Sequence, residues 1–446
     1  MISRFYLARL FAFGLVTAAV PASAEPEAPW LVGRTVPGWA DVKPRRTLQV
    51  RHDPDKPDEE NGGVLEKAIR SLERGDMLRI GPGRYSMARK FEVDLQGTAE
   101  APIWIVGADT DRLPIITRPD SRQNVMNVGE RSRTEYVCFR RLELTGGSTL
   151  IRFYDCHHLW LDQCHLHNAG SEGITTNTRD TSHFFITRNH FHDFTKPRAT
   201  GEAMYLGANR GKVAMSYSVI ADNHVHHCGG TQGDGIEVKQ GSHHNWIYRN
   251  HVHDTNYPCI LAYGTGGEGL NVIEQNICYR SNDNVVQVQG EAIVRNNLLI
   301  AAQGAGFAST DHQGKTARLT FVHNTIISRR HGANLSSWNG RDEMIFANNI
   351  VYTDRGDALR FPRGAEGVIV SGNVLLGRVS GVTEGFVVGN DLADFVDVSW
   401  DGNHRDATLS QDCPFIGQAD KKYVVKVDIT GSTRSRRATA GAFDAP

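Results

Sequence analysis

The stretch that decides the fold is YRNHVHDTNYPCILAYGTGGEGLNVIEQNICYR, residues 248–280, in which one short motif occurs twice. The motif is an asparagine followed by alternating residues, and it recurs along most of the chain. Its asparagines are Asn189, Asn223, Asn250, Asn276, Asn297, Asn324, Asn349 and Asn373, with Cys164 in the same place of an earlier copy. The intervals run from 21 to 34 residues. Such a repeated interval predicts a repeat architecture.

Each interval contains short β-rich runs separated by turns rich in Gly, Asn and Asp, and it shows no helical periodicity. It is also too short for a four-stranded propeller blade. One coil of a parallel β-helix of roughly 26-residue coils fits, because three short strands per coil can stack on the next coil at about 4.8 Å. We interpret the asparagine as the bend residue, which tolerates the left-handed conformation and whose amide bonds to the next coil.

A strand after each motif adds a second periodic signal. Its alternate positions form two mainly apolar columns, which we predict to face inward. The first column is Ile174, Met204, Ile236, Ile260, Val286, Phe307, Leu335 and Leu359. The second is Thr176, Leu206, Val238, Ala262, Val288, Ser309, Ser337 and Phe361. The residues between these positions are therefore predicted to face outward.

The two ends of the chain differ from the repeats. Residues 1–24 have the pattern of a secretory signal peptide, with Arg4 and Arg9 before an apolar run and Ala22-Ser-Ala24 at the cleavage site. We therefore predict a periplasmic or secreted protein without a membrane span. We assign 25–61 to an N-terminal extension, 62–385 to the β-helix with a capping helix at 62–75, and 386–446 to an irregular C-terminal segment that packs on the β-helix.

Composition narrows the range of partners. The formal charge is −1, so the chain lacks the basic excess of a nucleic-acid binder. The seven cysteines are odd in number and form no zinc-type CxxC pair, so we predict mostly buried free thiols. We expect a monomer.

Acidic residues occupy corresponding places in successive coils on the outward side. Glu202 and Asp234 stand in the turn before the third strand of their coils, and Glu237 lies on the strand itself. Carboxylates stacked at about 4.8 Å do not all stay charged without a cation. Oxygen ligands suit Ca²⁺, so we predict that Glu202, Asp234 and Glu237 hold a metal ion.

Polar and aromatic side chains surround these acids in the outward columns. A solvated face would carry more Lys, Thr and Ser, so this composition indicates a groove for a sugar polymer. The predicted substrate-binding residues are Tyr205, Gln287, Gln289, Trp338 and Arg360. Lys239 follows Glu237 in the same strand. A lysine whose pKa is lowered by desolvation or by other cations can act as a base.

Several segments resemble a known family. RGDMLRIGPGRYSM (74–87) and GTAEAPIWIVGA (97–108) are similar to the entry of right-handed parallel β-helix proteins of the polysaccharide-lyase type, chondroitinase B and alginate lyase in particular. Glu237-Val-Lys239 followed by Asn245 is similar to that family's acid–x–Lys strand. The resemblance implies an all-β, right-handed, single-stranded parallel β-helix. It also implies β-elimination of an acidic polysaccharide, with Ca²⁺ neutralising the substrate carboxylate.

The resemblance also implies an arginine about one coil after the lysine, but YPCILAYG (257–264) contains none. Tyr263, His312 and Arg360 are the candidate substitutes. We predict Lys239 as the base, Tyr263 as the donor of the proton to the leaving oxygen, and His312 as a further catalytic residue. Three alternatives stay open: a glycoside hydrolase that uses two of the carboxylates, a C5-epimerase, and a non-catalytic protein of glycan binding or exopolysaccharide assembly.

Paired histidines recur in four consecutive coils, at His165/His167, His190/His192, His224/His226 and His251/His253. This pattern is compatible with a series of metal ligands. We favour a packing interpretation, in which the histidines flank an inward apolar residue on the strand after the bend. In either case they are predicted to lie on a different face from Glu237.

Overall fold

The structure is a computed structural model that describes residues 33–445. Nearly all its regular elements are short parallel strands, which stack coil upon coil into three faces and confirm the predicted parallel β-helix. None of the helices within 33–445 is long and apolar enough to cross a membrane. The predicted signal peptide lies outside these described residues.

The first face is a 15-stranded sheet. Its main row consists of Arg46–Val50, Asp76–Ile80, Ile103–Gly107, Thr134–Arg140, Cys156–Asp162, Phe185–Thr187, Val219–Ala221, Trp246–Tyr248, Asn271–Glu274, Ala292–Arg295, Leu319–Val322, Met344–Ala347 and Ile369–Ser371. Thr181–Ser182 and Met215–Ser216 lie beside this row. Because Arg46–Val50 pairs with Asp76–Ile80, the face begins before residue 62, inside the predicted N-terminal extension.

The second face carries the histidine strands. It consists of Gly83–Ser86, Pro114–Arg118, Glu143–Gly146, His165–His167, His190–Phe194, His224–Cys228, His251–Thr255, Ile277–Ser281, Leu298–Ala302, Thr325–Ser328, the first part of Ile350–Arg360, Asn373–Ser380 and Phe386–Val388. All its pairings are parallel.

The third face carries Glu237. It consists of Glu92–Val93, Met126–Val128, Ile151–Phe153, Ile174–Thr175, Met204–Leu206, Ile236–Val238, Ile260–Ala262, Val286–Val288, Ala305–Ser309, His331–Leu335 and the last part of Ile350–Arg360. The second and third faces form one 23-stranded sheet, since Ile350–Arg360 and Asn373–Ser380 both run from one face into the other. On the third face the last part of Asn373–Ser380 pairs with the last part of Ile350–Arg360.

The capping helix spans Asp58–Arg70, four residues earlier at its start than predicted. Three acidic residues occupy its first turn, where they complement the helix dipole, and Pro57 precedes them. Gly62 lies within the helix rather than at its start. A Cβ there would lie 2.1 Å from the Ser86 carbonyl oxygen, so glycine permits close packing of helix on strand.

The C-terminal segment packs on the second face. Phe395–Val398 and Arg405–Leu409 form an antiparallel pair, and short 3₁₀ helices occupy Leu392–Asp394 and Lys421–Tyr423; a further one, Asn209–Gly211, belongs to the β-helix. Phe395 and Leu409 share an apolar cluster with Ile300 and Tyr352 of the β-helix. Tyr352 also donates a hydrogen bond to Asp394.

The interior is filled by the inward columns, with one register difference from the prediction. Phe307 pairs with Ala333, not with Leu335, and Ala333 in turn pairs with Leu359. A shift of two residues leaves every side chain on the same side of a strand, so the alternating pattern could not reveal it. The seven cysteines are buried free thiols, as predicted.

The repeated asparagines form a buried ladder. In the seven from Asn189 to Asn349, the backbone N–H and Nδ2 both donate to Oδ1 of the asparagine one coil later, with Nδ2–Oδ1 distances of 2.9–3.2 Å, whereas both groups of Asn373 donate to the Gly385 carbonyl. The predicted left-handed conformation falls on the preceding residue instead, as at Arg249 (φ 53°) and Gln275 (φ 55°). The bend and the amide bonding are therefore divided between two adjacent residues.

Asn276→Ala should lower the free energy of unfolding by roughly 2–4 kcal/mol, because two buried donors of Asn250 would lose their acceptor at about 1–3 kcal/mol each. Urea unfolding followed by circular dichroism measures this change. Asn403→Ala, in the exposed C-terminal segment, is the matched control and should change stability by less than about 0.5 kcal/mol. Equal stability of the two variants would contradict the role assigned to the ladder.

Candidate active site

The candidate site is built on three adjacent strands of the third face. Tyr205 pairs with Glu237, which pairs with Leu261, as the outward column predicted. Lys239 and Tyr263 follow the ends of their strands in successive coils, at places where the backbone still bonds to the preceding coil. Parallel stacking thus brings Tyr205, Glu237, Lys239 and Tyr263 together from sequence positions far apart.

The three predicted metal-binding carboxylates meet at this place. One oxygen each of Glu202, Asp234 and Glu237 lies within 4.8 Å of the others. All three side chains are buried, with 0%, 0% and 1% of their surface exposed. Among the described residues, both oxygens of Glu202, both of Asp234 and Oε2 of Glu237 have no hydrogen-bond partner. Buried carboxylates without donors are costly, so this arrangement favours protons or a cation.

The electrostatics follow from this burial. Burial raises the pKa of Glu202 to about 7 and the pKa of Asp234 well above its ordinary range, and the neighbouring acids add to both shifts. Burial also raises the pKa of Glu237, although the Lys239 charge opposes this shift. The cluster therefore takes up protons more readily than exposed carboxylates do.

Lys239 is enclosed rather than exposed in an open groove. Only 3% of it is accessible, and its ammonium is ion-paired with Glu237. Its Nζ lies 4.1 Å from the ring centroid of Tyr205 and 5.4 Å from that of Tyr263, distances typical of cation–π contacts. Two aromatic rings and one carboxylate thus hold the lysine in place.

Two loops meet beside this site. His312, which is exposed, stacks on Tyr263 with ring centroids 5.2 Å apart. The next residue, Gln313, accepts a hydrogen bond from the Arg210 backbone (2.7 Å) and donates one to Asn209 Oδ1 (3.1 Å). The loop containing His312 thereby reaches back over four coils of the third face. No local sequence pattern indicates this bridge, because its partners are separated by more than 100 residues.

The predicted substrate-binding residues are dispersed. Gln287 lies two coils after Glu237 and accepts a hydrogen bond from Asn284, and Gln289 is buried beside the carbonyl of Lys315. Arg360 stands in the same outward column five coils after Glu237, about 24 Å away at the usual strand spacing. The structure does not bring it to the lysine.

Trp338 does not face outward as predicted. It is 0% exposed and belongs to the main apolar core, where its ring packs edge-on against Phe361 at 6.2 Å. The strand ends at Leu335, so the alternation on which the prediction relied stops before Trp338. A role in stacking on sugars is therefore wrong for this residue.

An arginine-lined cleft of about 850 Å³ was also missed by the sequence analysis. It lies at the ends of second-face strands, at the corner that leads into the third face. Its lining includes Arg280, Arg329, Arg330, Arg355 and Trp400. Glu202 and Asp234 precede third-face strands at the same corner in earlier coils. Arg329 and Arg330 follow the end of the strand Thr325–Ser328, whereas Arg280 and Arg355 lie within the strands Ile277–Ser281 and Ile350–Arg360 near the corner.

Stability without added cation should decrease as pH rises from about 4.5 to 7. Glu202 has an ordinary pKa of 4.5 and a pKa of about 7 in the fold, so the native chain binds more protons than the unfolded chain in this window. Ca²⁺ at 100 times its Kd should restore about 2.7 kcal/mol at pH 7.5 and less at pH 5, because protons compete with it.

Thermal unfolding with and without Ca²⁺ at both pH values measures this effect. Glu202→Gln should flatten the pH dependence and remove the calcium response. The exposed Glu59→Gln should retain both. A calcium response unchanged in Glu202→Gln would exclude this cluster as the binding site.

The chain is similar to a family model and to solved structures of β-helix fold. The family model described as "Right handed beta helix region" matches residues 128–276 and 216–351, which together exceed half of the chain. No curated protein sequence matches the chain. Pectate lyase Pel9A superposes with a TM-score of 0.53 at 14% identity, over 91% of this chain and 98% of that one. XylC, solved with xylose, gives 0.54 at 10% identity, over 89% and 98%. The chain therefore belongs to the right-handed β-helix family.

Proposed function

We propose that the protein is a polysaccharide lyase, periplasmic or secreted, that cleaves a uronate-containing polysaccharide by β-elimination. The observation that carries the proposal is the buried Glu202, Asp234 and Glu237 cluster, whose unpartnered oxygens lie beside Lys239 on one face of a β-helix. The similarity in fold to a pectate lyase is consistent with it.

The donor set fits a hard cation. Three carboxylates with unpartnered oxygens and no imidazole or thiolate within the cluster suit Ca²⁺ better than a transition metal. Such an ion would neutralise the substrate carboxylate and so acidify the adjacent C5 proton. Glu202, Asp234 and Glu237 would hold it.

Lys239 is the proposed base. As a base it would accept the C5 proton on Nζ, and Glu237 lies beside it as its ion-pair partner. The rings of Tyr205 and Tyr263 keep Nζ in position throughout.

Tyr263 is the proposed proton donor to the leaving oxygen. Burial and the charges of Glu237 and Asp234 raise its pKa, so the phenol remains protonated at neutral pH. His312 stacks on the ring and orients it. Because Lys239 and Tyr263 are almost fully buried, we propose that entry of a sugar ring requires the Gln313 bridge to open.

The hydrolase alternative is less consistent with the geometry. Acid and base carboxyls of glycosidases stand about 5–5.5 Å apart when they retain configuration and about 6.5–9.5 Å apart when they invert it. The three carboxylates here each have one oxygen within 4.8 Å of the others, and all three are shielded from solvent. An epimerase would change the uronate stereochemistry without cleavage, and a glycan-binding protein would form no product. Analysis of the products therefore distinguishes both from a lyase.

Mature protein with Ca²⁺ should release products with a new double bond from at least one of alginate, pectate, chondroitin or bacterial exopolysaccharide. Absorbance in the ultraviolet measures them. Lys239→Ala should lower the rate at least 100-fold, since removing a positioned base costs about 10²–10⁴-fold. The exposed Lys67→Ala is the matched control and should be fully active.

Other products would contradict the proposal. New reducing ends without ultraviolet absorbance would indicate a hydrolase, and altered uronate stereochemistry without cleavage would indicate an epimerase. Retention of glycan without any reaction would indicate a binding protein. Full activity of Lys239→Ala would remove the lysine from the mechanism.

The arginine-lined cleft is proposed to bind the acidic polymer beyond the reacting sugar. Replacing both Arg329 and Arg330 with Ala should raise KM several-fold with little change in kcat, because contacts remote from the reaction bind substrate and transition state alike. Steady-state kinetics on the cleaved polymer measures both constants. Arg122→Ala with Arg112→Ala removes two exposed arginines elsewhere and should leave KM unchanged.

A further inference from the structure

The histidines of the second face form an array that the proposed lyase chemistry does not use. His165, His190, His224 and His251 make one column in register, and His167, His192, His226 and His253 make the other. They lie on a different face from the carboxylate cluster, as predicted. Rings in each column stack, with centroids 4.9–5.1 Å apart between successive coils.

Ring nitrogens of the two columns point at one another between coils. The Nε2 atoms of His165 and His192 are 2.6 Å apart, those of His190 and His226 are 2.8 Å apart, and those of His224 and His253 are 2.9 Å apart. Each contact places two Nε2 atoms where one proton, or one metal ion, can be shared. The packing interpretation of the sequence pattern does not account for this convergence.

A third nitrogen joins two of these contacts. The ring nitrogens of His165, His190 and His192 lie within 4.8 Å of one another, and so do those of His190, His224 and His226. Zinc binds imidazole nitrogen at about 2.0–2.1 Å, so small ring rotations would suffice for three nitrogens to reach one ion. His190 belongs to both groups.

Carboxylates orient rings of the second column. His192 Nδ1 lies 2.7 Å from an Asp193 oxygen, and His253 Nδ1 lies 2.6 Å from an Asp254 oxygen. Asp254 is itself held by Arg280. When Nδ1 donates to a carboxylate, Nε2 carries the free lone pair. This carboxylate–histidine arrangement is the usual support of a metal-binding imidazole.

We propose that the second-face histidines bind a divalent transition metal such as Zn²⁺ or Cu²⁺, with His190 shared between two three-histidine sites. Imidazole nitrogen suits these ions, whereas Ca²⁺ requires oxygen ligands. The proposal does not depend on the lyase activity.

The test uses tag-free mature protein and Zn²⁺ alone, with affinity and stoichiometry measured by calorimetry. His190→Phe keeps a planar stacking ring but removes both nitrogens, and it should weaken binding at least tenfold. His226→Phe disrupts only one three-histidine group and should lower the number of bound ions without abolishing binding. His404→Phe, an exposed histidine of the C-terminal segment, and Glu202→Gln should both leave zinc binding within twofold of the wild type.

A spectroscopic readout separates ligation from indirect effects. Cu²⁺ bound to the wild type should show hyperfine coupling to three nitrogens in its electron paramagnetic resonance spectrum, and His190→Phe should show coupling to fewer nitrogens. Absence of zinc binding by the wild type would overturn the proposal. So would unchanged zinc binding by His190→Phe, or loss of binding in Glu202→Gln, which would move the ion to the carboxylates. If His190→Phe does not fold, His226→Phe and the copper spectrum of the wild type decide the question.

Discussion

The asparagine ladder is the interaction on which the rest of the structure depends. From Asn189 to Asn349, the side-chain amide and the backbone N–H donate to the amide oxygen of the next coil, so the bend between the first and second faces repeats at one spacing. An amide left without its partner inside the core would be costly, so the chain cannot slip by a residue at this corner. The register of the outward columns follows from that restriction.

This fixed spacing places side chains of the same type close together in successive coils. Residues at equivalent positions in successive coils lie about 4.8 Å apart, even where their charges repel one another. On the third face the result is three buried carboxylates with raised pKa values. On the second face it is eight imidazoles in two columns. The carboxylate cluster costs stability unless its members are protonated or bind a cation, because its buried oxygens lack donors.

The repeat and its faces could be predicted from sequence because asparagine spacing and two-residue alternation are local signals. The pairing of Tyr205 with Glu237 followed directly from them. Alternation no longer indicates direction where a strand ends. Trp338 follows the end of its strand at Leu335, so it was predicted to face outward although it is buried. Two-residue alternation also does not predict which side chains cover a surface and bury the residues beneath them. Lys239 is buried by aromatic rings and stands near a loop bridge from Gln313 to Asn209, and no local pattern encodes contacts across 100 residues.

One backbone geometry can therefore support two kinds of ligand set. The third face places oxygen donors around a lysine, which suits a hard cation and a proton transfer. The second face places nitrogen donors in a ladder, which suits a softer ion. The coil spacing is common to both, so the difference lies wholly in which side chain each coil presents. Because the two faces share an interior but not their outer surfaces, side chains on one outer face can change without disturbing the other, as long as the asparagine ladder keeps the coils in register.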